Sequence, residues 1–108
     1  MGKQIRFELG EKQYVLEYTL KTAGQANEDG FILDQLGDKF AMMTPKLVYW
    51  AFVRHQKWIT KKQTEELFEQ IIDKQGFITT LAEMYADAVN ALIDDEEGAE
   101  GNANWTVT

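Results

Sequence analysis

Polar and apolar residues alternate at the start of the chain. Ile5, Phe7 and Leu9 share one side of an extended segment, and Arg6 and Glu8 share the other. That period of two is the pattern of a half-buried strand. Gly10-Glu11 suits a tight turn, after which Tyr14, Leu16 and Tyr18 again fall on one face. The pattern predicts a β-hairpin over residues 4–20. A two-stranded hairpin is marginal in water by itself, so its apolar face should pack on the remainder of the chain.

The period then changes to that of a helix. Residues 19–29 read as a weak helix with Leu20, Ala23 and Ala26 on one side, ended by Asp29-Gly30. Residues 31–36 form a short apolar piece closed by Gly37, compatible with helical turns or a third strand, helix being favoured. Thr44-Pro45 resembles a helix start, with threonine as cap and proline in the first turn, and the helix should run to about Lys57. Leu47, Trp50, Ala51 and Trp58 form one apolar face of it, and Val48, Phe52 and Ile59 a second. A helix apolar on more than one side is usually central.

Thr60 followed by Gln63 is a capping-box pattern and predicts the next helix start. Thr64, Leu67, Phe68, Ile71, Ile72 and Gln75 keep helical spacing, and Gly76 would terminate that helix. Ile78, Leu81, Tyr85, Ala88, Val89 and Leu92 form the stripe of a last helix. The expected fold is α+β and mostly α. An N-terminal hairpin packs on a bundle of about four to five helices within one domain, residues 1–93.

Charge sharpens the boundary. The net charge of the 108 residues is -7. Asp94, Asp95, Glu96, Glu97 and Glu100 cluster after the last helix, and removing those five charges leaves -2 for the rest. Residues 94–108 read as a flexible acidic tail in which Trp105 stands almost alone. An acidic chain is repelled by phosphate backbones, so nucleic acid is not an expected partner. The seven-residue apolar run 47–53 is far below the about 20 residues a membrane span requires. It must be buried by this domain or by a partner. The N-terminus lacks an apolar leader segment and a myristoylation pattern, so the expected compartment is the cytoplasm.

Chemistry-bearing patterns are scarce. There is no cysteine, which excludes disulfides and thiolate chemistry. His55 is the single histidine and reads as a surface or helix-end residue. Neither of two glycines fits the sixth position of an EF-hand loop. Gly98 puts Ile93 at the first ligand position, and Gly30 puts Leu36 where a glutamate is required. No phosphate-binding glycine loop or zinc pattern occurs. No catalytic, cofactor-binding or metal-binding residue is expected. The aromatics Tyr49, Trp50, Phe52 and Trp58 read as core or, alternatively, as the lining of a pocket. Trp50, Phe52, Trp58 and Trp105 are the candidate partner-binding residues, since aromatic side chains anchor interfaces. The pattern favours a binding protein over an enzyme.

One family shares this order of elements. The hairpin of residues 5–18 is followed by Thr44-Pro45-Lys46-Leu47-Val48-Tyr49-Trp50-Ala51-Phe52-Val53-Arg54-His55-Gln56. Then come Ile59-Thr60-Lys61-Lys62-Gln63-Thr64-Glu65-Glu66-Leu67 and the closing acidic stretch with Asn104-Trp105. Over most of its length the chain resembles the tail assembly chaperones of long-tailed phages. The resemblance implies a non-catalytic role in the cytoplasm of an infected or lysogenic bacterium. Its partners would be the tape measure protein and the tail tube protein, with self-association possible in the family. It implies absence from the mature virion, and this chain would be the short form, or the N-terminal part of a longer form made by frameshifting. The alternatives are a small acidic regulatory or inhibitory adaptor and a structural tail component.

Overall fold

A computed structural model describes residues 3–92 and 106–107. The acidic run and Trp105 lie outside the described residues. Two strands, β1 (Ile5–Leu9) and β2 (Lys12–Leu16), form the expected antiparallel hairpin. Leu9 pairs with Lys12, so Gly10-Glu11 is a two-residue turn, and Gly10 has a φ of +67°. Glycine at the first turn position tolerates that left-handed backbone, whose twist matches the strands.

Among the described residues four helices follow: α1 (Leu20–Glu28), α2 (Phe40–Val53), α3 (Lys61–Glu69) and α4 (Lys74–Asn90). The protein is α+β and mostly α. Residues 31–36 supply a short 3-10 turn, Leu33–Gln35, and no strand. Two capping boxes start helices, each with a threonine at the cap. Thr60 and Gln63 exchange backbone and side-chain hydrogen bonds at α3, as expected, and Thr19 and Thr22 do the same at α1.

Three expected boundaries are wrong. Thr44-Pro45 does not start α2, which begins at Phe40 and carries Pro45 inside it. The turns just before it already lead into the helix, with Lys39 donating to the Gln35 carbonyl at 2.8 Å. The same helix stops at Val53, short of Lys57. Gly76 does not end α3, which finishes at Glu69. It sits in the first turn of α4, where its N–H donates to Oδ1 of the capping Asp73 at 3.1 Å. A Cβ at residue 76 would collide with that carboxylate. Ile72, expected in the helical stripe, lies between the helices and is 93% exposed.

The core lies where the hairpin face, α1, α2 and α4 meet. Leu16, Phe31, Leu47, Ala51, Phe52 and Leu81 are fully buried. Tyr18 and Phe31 each meet the ring of Tyr85 edge-on, at 5.4 and 4.8 Å between centroids. The Tyr18 hydroxyl donates to the Leu47 carbonyl at 2.6 Å. Burial pushes its pKa well above the usual tyrosine value, with the neighbouring Tyr85 adding to the rise. Among the described residues no helix is long and apolar enough to cross a membrane.

Candidate functional site

Asp29 fixes the arrangement of α1, α2 and α3. It caps the end of α1 and accepts from the Trp50 indole N–H at 3.0 Å and from Lys61 at 3.1 and 3.2 Å. Lys46 stands 3.9 Å away. Partial burial raises the Asp29 pKa, but Trp50, Lys61 and Lys46 outweigh it and hold the carboxyl below its ordinary value. Lys61 also lies over the Tyr49 ring, 5.6 Å from its centroid.

With α3 held there, its side chains leave a seam against the first half of α2. A groove of about 390 Å³ opens between Phe40, Ala41, Thr44, Pro45 and Val48 on one side and Thr64, Glu65, Phe68 and Glu69 on the other. A smaller pit of about 110 Å³, lined by Met42, Asp29, Lys46 and Lys61, shares Pro45 and Glu65 with it. Phe40 is 52% and Met42 59% exposed, so the apolar surface extends beyond the groove.

Three features give the seam polar character. Thr64 is buried, and its hydroxyl donates to the Lys61 carbonyl at 2.7 Å. Thr44 is 5% exposed, and its hydroxyl oxygen is buried with no hydrogen-bond partner. Pro45 has no N–H to give to the Ala41 carbonyl one turn earlier. On the opposite wall Glu65 and Glu69 are exposed, one turn apart, and have no ion-pair partner among the described residues.

The aromatic residues expected to bind a partner do not converge here. Phe52 is fully buried against the rings of Phe7 and Tyr14, so it is a core residue and not a partner contact. Trp50 is half-buried, T-shaped against Tyr49, with its N–H committed to Asp29. Trp58 is 58% exposed, with Lys12 5.4 Å over its ring, and borders a separate shallow groove beside Ile59 and Leu67. Trp105 lies outside the described residues. His55 places Nε2 2.7 Å from a Glu17 carboxylate oxygen.

A family comparison bears on the whole chain: one family model matches residues 1–108. The chain belongs to the DUF5055 family, described as a domain of unknown function. Neither the curated proteins nor the solved structures show a match to this DUF5055 chain. A second cleft, between α1 and the end of α2, carries Lys21, Arg54 and Lys57. There the Thr19 and Thr22 side chains are used by the capping box, and among the described residues no buried side-chain polar atom of that cleft lacks a partner. Among the described residues no cluster of His, Asp or Glu has metal-binding geometry. Among the described residues, the α2–α3 seam combines apolar depth with a buried side-chain oxygen that lacks a partner.

The seam residues Phe40, Thr44, Pro45, Glu65, Phe68 and Glu69 escaped the sequence reading. The spacing of Phe40, Thr44 and Val48 places them on one helical face. That signal was hidden because Thr44-Pro45 has the form of a helix start.

Proposed function

We propose that this protein is a non-catalytic phage tail assembly chaperone that binds a tape measure protein and helps recruit tail tube subunits. The observation carrying the reading is the open apolar seam between α2 and α3. A tape measure protein presents long amphipathic helices before the tube surrounds it, and such helices pack apolar faces into grooves of this kind. The resemblance of the chain to tail assembly chaperones supplies the partner. The seven-residue apolar run contributes mainly to the core, leaving the seam as the surface for the partner. On this reading the protein acts in the bacterial host cytoplasm and leaves before the virion matures. A longer frameshifted form and self-association belong to the same proposal.

The test is co-expression with a tape measure protein from the same genome. The tape measure protein should become soluble and co-purify with this chain. Purified mature particles should lack it. A tape measure protein that stays insoluble and unbound overturns the reading. Stoichiometric recovery of the chain from particles would favour a structural tail component.

A further inference from the structure

We infer that the free edge of β1 is the surface on which two copies of this chain pair, antiparallel about a two-fold axis at Phe7, joining their hairpins into one sheet. This goes beyond the chaperone reading: it depends on the hairpin alone, and it gives the self-association within that reading a surface.

Leu9 pairs with Lys12 across the two-residue turn, which fixes the backbone groups that face outward. Hydrogen-bonded pairs alternate along an antiparallel ladder, so Leu9–Lys12, Phe7–Tyr14 and Ile5–Leu16 are the bonded pairs. The N–H and C=O of Arg6 and Glu8 therefore point away from β2, and those of Val15 point away from β1. The two edges are treated differently. The Gln56 amide occupies both outward groups of Val15, at 2.9 Å each. Among the described residues no hydrogen bond reaches the outward groups of Arg6 or Glu8. β1 carries no proline and pairs without a bulge, so its backbone does not bar a further strand.

The apolar face of β1 is also incompletely covered. Tyr14 and Leu16 on β2 are buried, whereas Ile5, Phe7 and Leu9 on β1 are half-buried. The cause is that α2 is fastened to the β2 side, through Gln56 and through the Glu17 N–H on the Ala51 carbonyl. β1 overhangs the helices. A second hairpin alongside covers that rim, with Ile5 opposite the second copy's Leu9 and the two Phe7 rings meeting at the axis.

Charge selects a second copy as the occupant. Arg6 and Glu8 are exposed on the outer face, and neither has an ion-pair partner among the described residues. Across the hairpin they oppose Val15 and Gln13, which carry no charge. Exposed charges usually guard an edge against a further strand. Self-pairing centred on Arg6, or on Glu8, sets like charges opposite each other. Self-pairing centred on Phe7 sets Arg6 opposite the second copy's Glu8, and Glu8 opposite its Arg6. The same register joins the outward backbone groups of both residues. Such a contact is isologous, and Gln56 closes each β2 edge, so the joined sheet grows no further.

Sedimentation equilibrium on the full chain reads the pairing. One strand pair makes a small interface, so the dimer should form between about 10 μM and 1 mM. Arg6→Glu and Glu8→Arg should each raise the dissociation constant about tenfold, because each sets like charges opposite at both positions. The exchanged variant Arg6→Glu/Glu8→Arg should recover the dimer. Mixing the two single variants should give a heterodimer tighter than either forms with itself. Both side chains are exposed, so the melting temperature of dilute protein should barely move in any variant. Amide exchange at Arg6 and Glu8 should slow as protein concentration rises.

A chain that stays monomeric up to about 1 mM overturns the inference. So does a dimer that ignores the single reversals, or one that the folded exchanged variant fails to restore. Protection of the Arg6 and Glu8 amides at every dilution also overturns it, by making the occupant another segment of the same chain. A monomeric chain that still solubilises a tape measure protein removes only this surface and leaves the chaperone reading standing. A dimer centred on Phe7 beside a tape measure protein that stays insoluble does the reverse.

Discussion

The Gln56 side chain pairs with the Val15 backbone as a neighbouring strand would. Its Oε1 accepts from the Val15 N–H at 2.9 Å, and its Nε2 donates to the Val15 carbonyl at 2.9 Å. The same Nε2 donates to the Phe52 carbonyl at 2.7 Å. One buried amide thus closes the open edge of the hairpin and adds a further hydrogen bond to the Phe52 carbonyl, which already accepts from the Gln56 N–H at 2.9 Å. Nearby, the Glu17 N–H donates to the Ala51 carbonyl at 3.0 Å. The hairpin is held to α2 by hydrogen bonds as well as by apolar contact.

Gln56→Leu should therefore destabilise the fold by about 2–3 kcal/mol, although leucine is of similar size. Val15 would be left with a donor and an acceptor that have no partner and limited access to water. Urea unfolding of the two proteins measures the difference. A change below about 0.5 kcal/mol would mean that the edge needs no partner, because surface substitutions commonly reach that level.

Two carboxylates link stability to acid. The His55 hydrogen bond is the main cause lowering the Glu17 pKa. Partial burial opposes it, and Gln4, the His55 charge and Arg54 assist it. Asp29 is also lowered, against the opposing effect of its burial. A folded-state value below the unfolded one means stabilisation that is complete above the unfolded value. It is lost as pH falls through the folded value. The unfolded values are about 4.3 for glutamate and about 3.9 for aspartate. The contribution of these two carboxylates should be level above about pH 5 and fall away below about pH 4. Glu17→Gln and Asp29→Asn should each flatten part of that acid limb. Chemical unfolding across the acid range reads this directly, and a limb unchanged in both variants would contradict it.

What was legible in the sequence was local. Thr60 and Gln63 announce a helix start because the hydrogen bonds they make span three residues. Gly10-Glu11 announces the hairpin because the turn needs a left-handed residue at its first position. The failures come from the same local signals meeting a longer-range context. Gly76 has the composition of a helix end, yet it leaves room for the Asp73 carboxylate at a helix start. The seam was not legible at all, since it exists only where α3 is held against α2 by Asp29. Phe52 and Trp58 are equally aromatic in sequence, and only the packing separates them.

Pro45 offers a test of the misplaced start. A proline inside a helix removes one backbone hydrogen bond and crowds the carbonyl one turn back. Pro45→Ala restores a donor for the Ala41 carbonyl and should stabilise the free protein by about 1 kcal/mol, offset in part by greater freedom of the unfolded chain. Its melting temperature should rise. A fall in melting temperature would show that the proline ring packs in the groove wall with more benefit than the hydrogen bond it displaces.

The contrast between Phe52 and Trp58 separates core from surface. Phe52 is fully buried against Phe7 and Tyr14, so Phe52→Ala removes a large side chain from the core and should cost about 3–5 kcal/mol. Trp58 is mostly exposed, with the Lys12 ammonium 5.4 Å over its ring. A cation–π contact at an exposed site contributes about 0.5–1 kcal/mol, so Trp58→Ala should cost no more than about 1 kcal/mol. The pair also calibrates any partner assay. A loss of partner binding in Trp58→Ala at unchanged stability would extend the interface past the seam towards the hairpin. The same loss in Phe52→Ala would report only that the fold is gone, because its ring has no access to a partner.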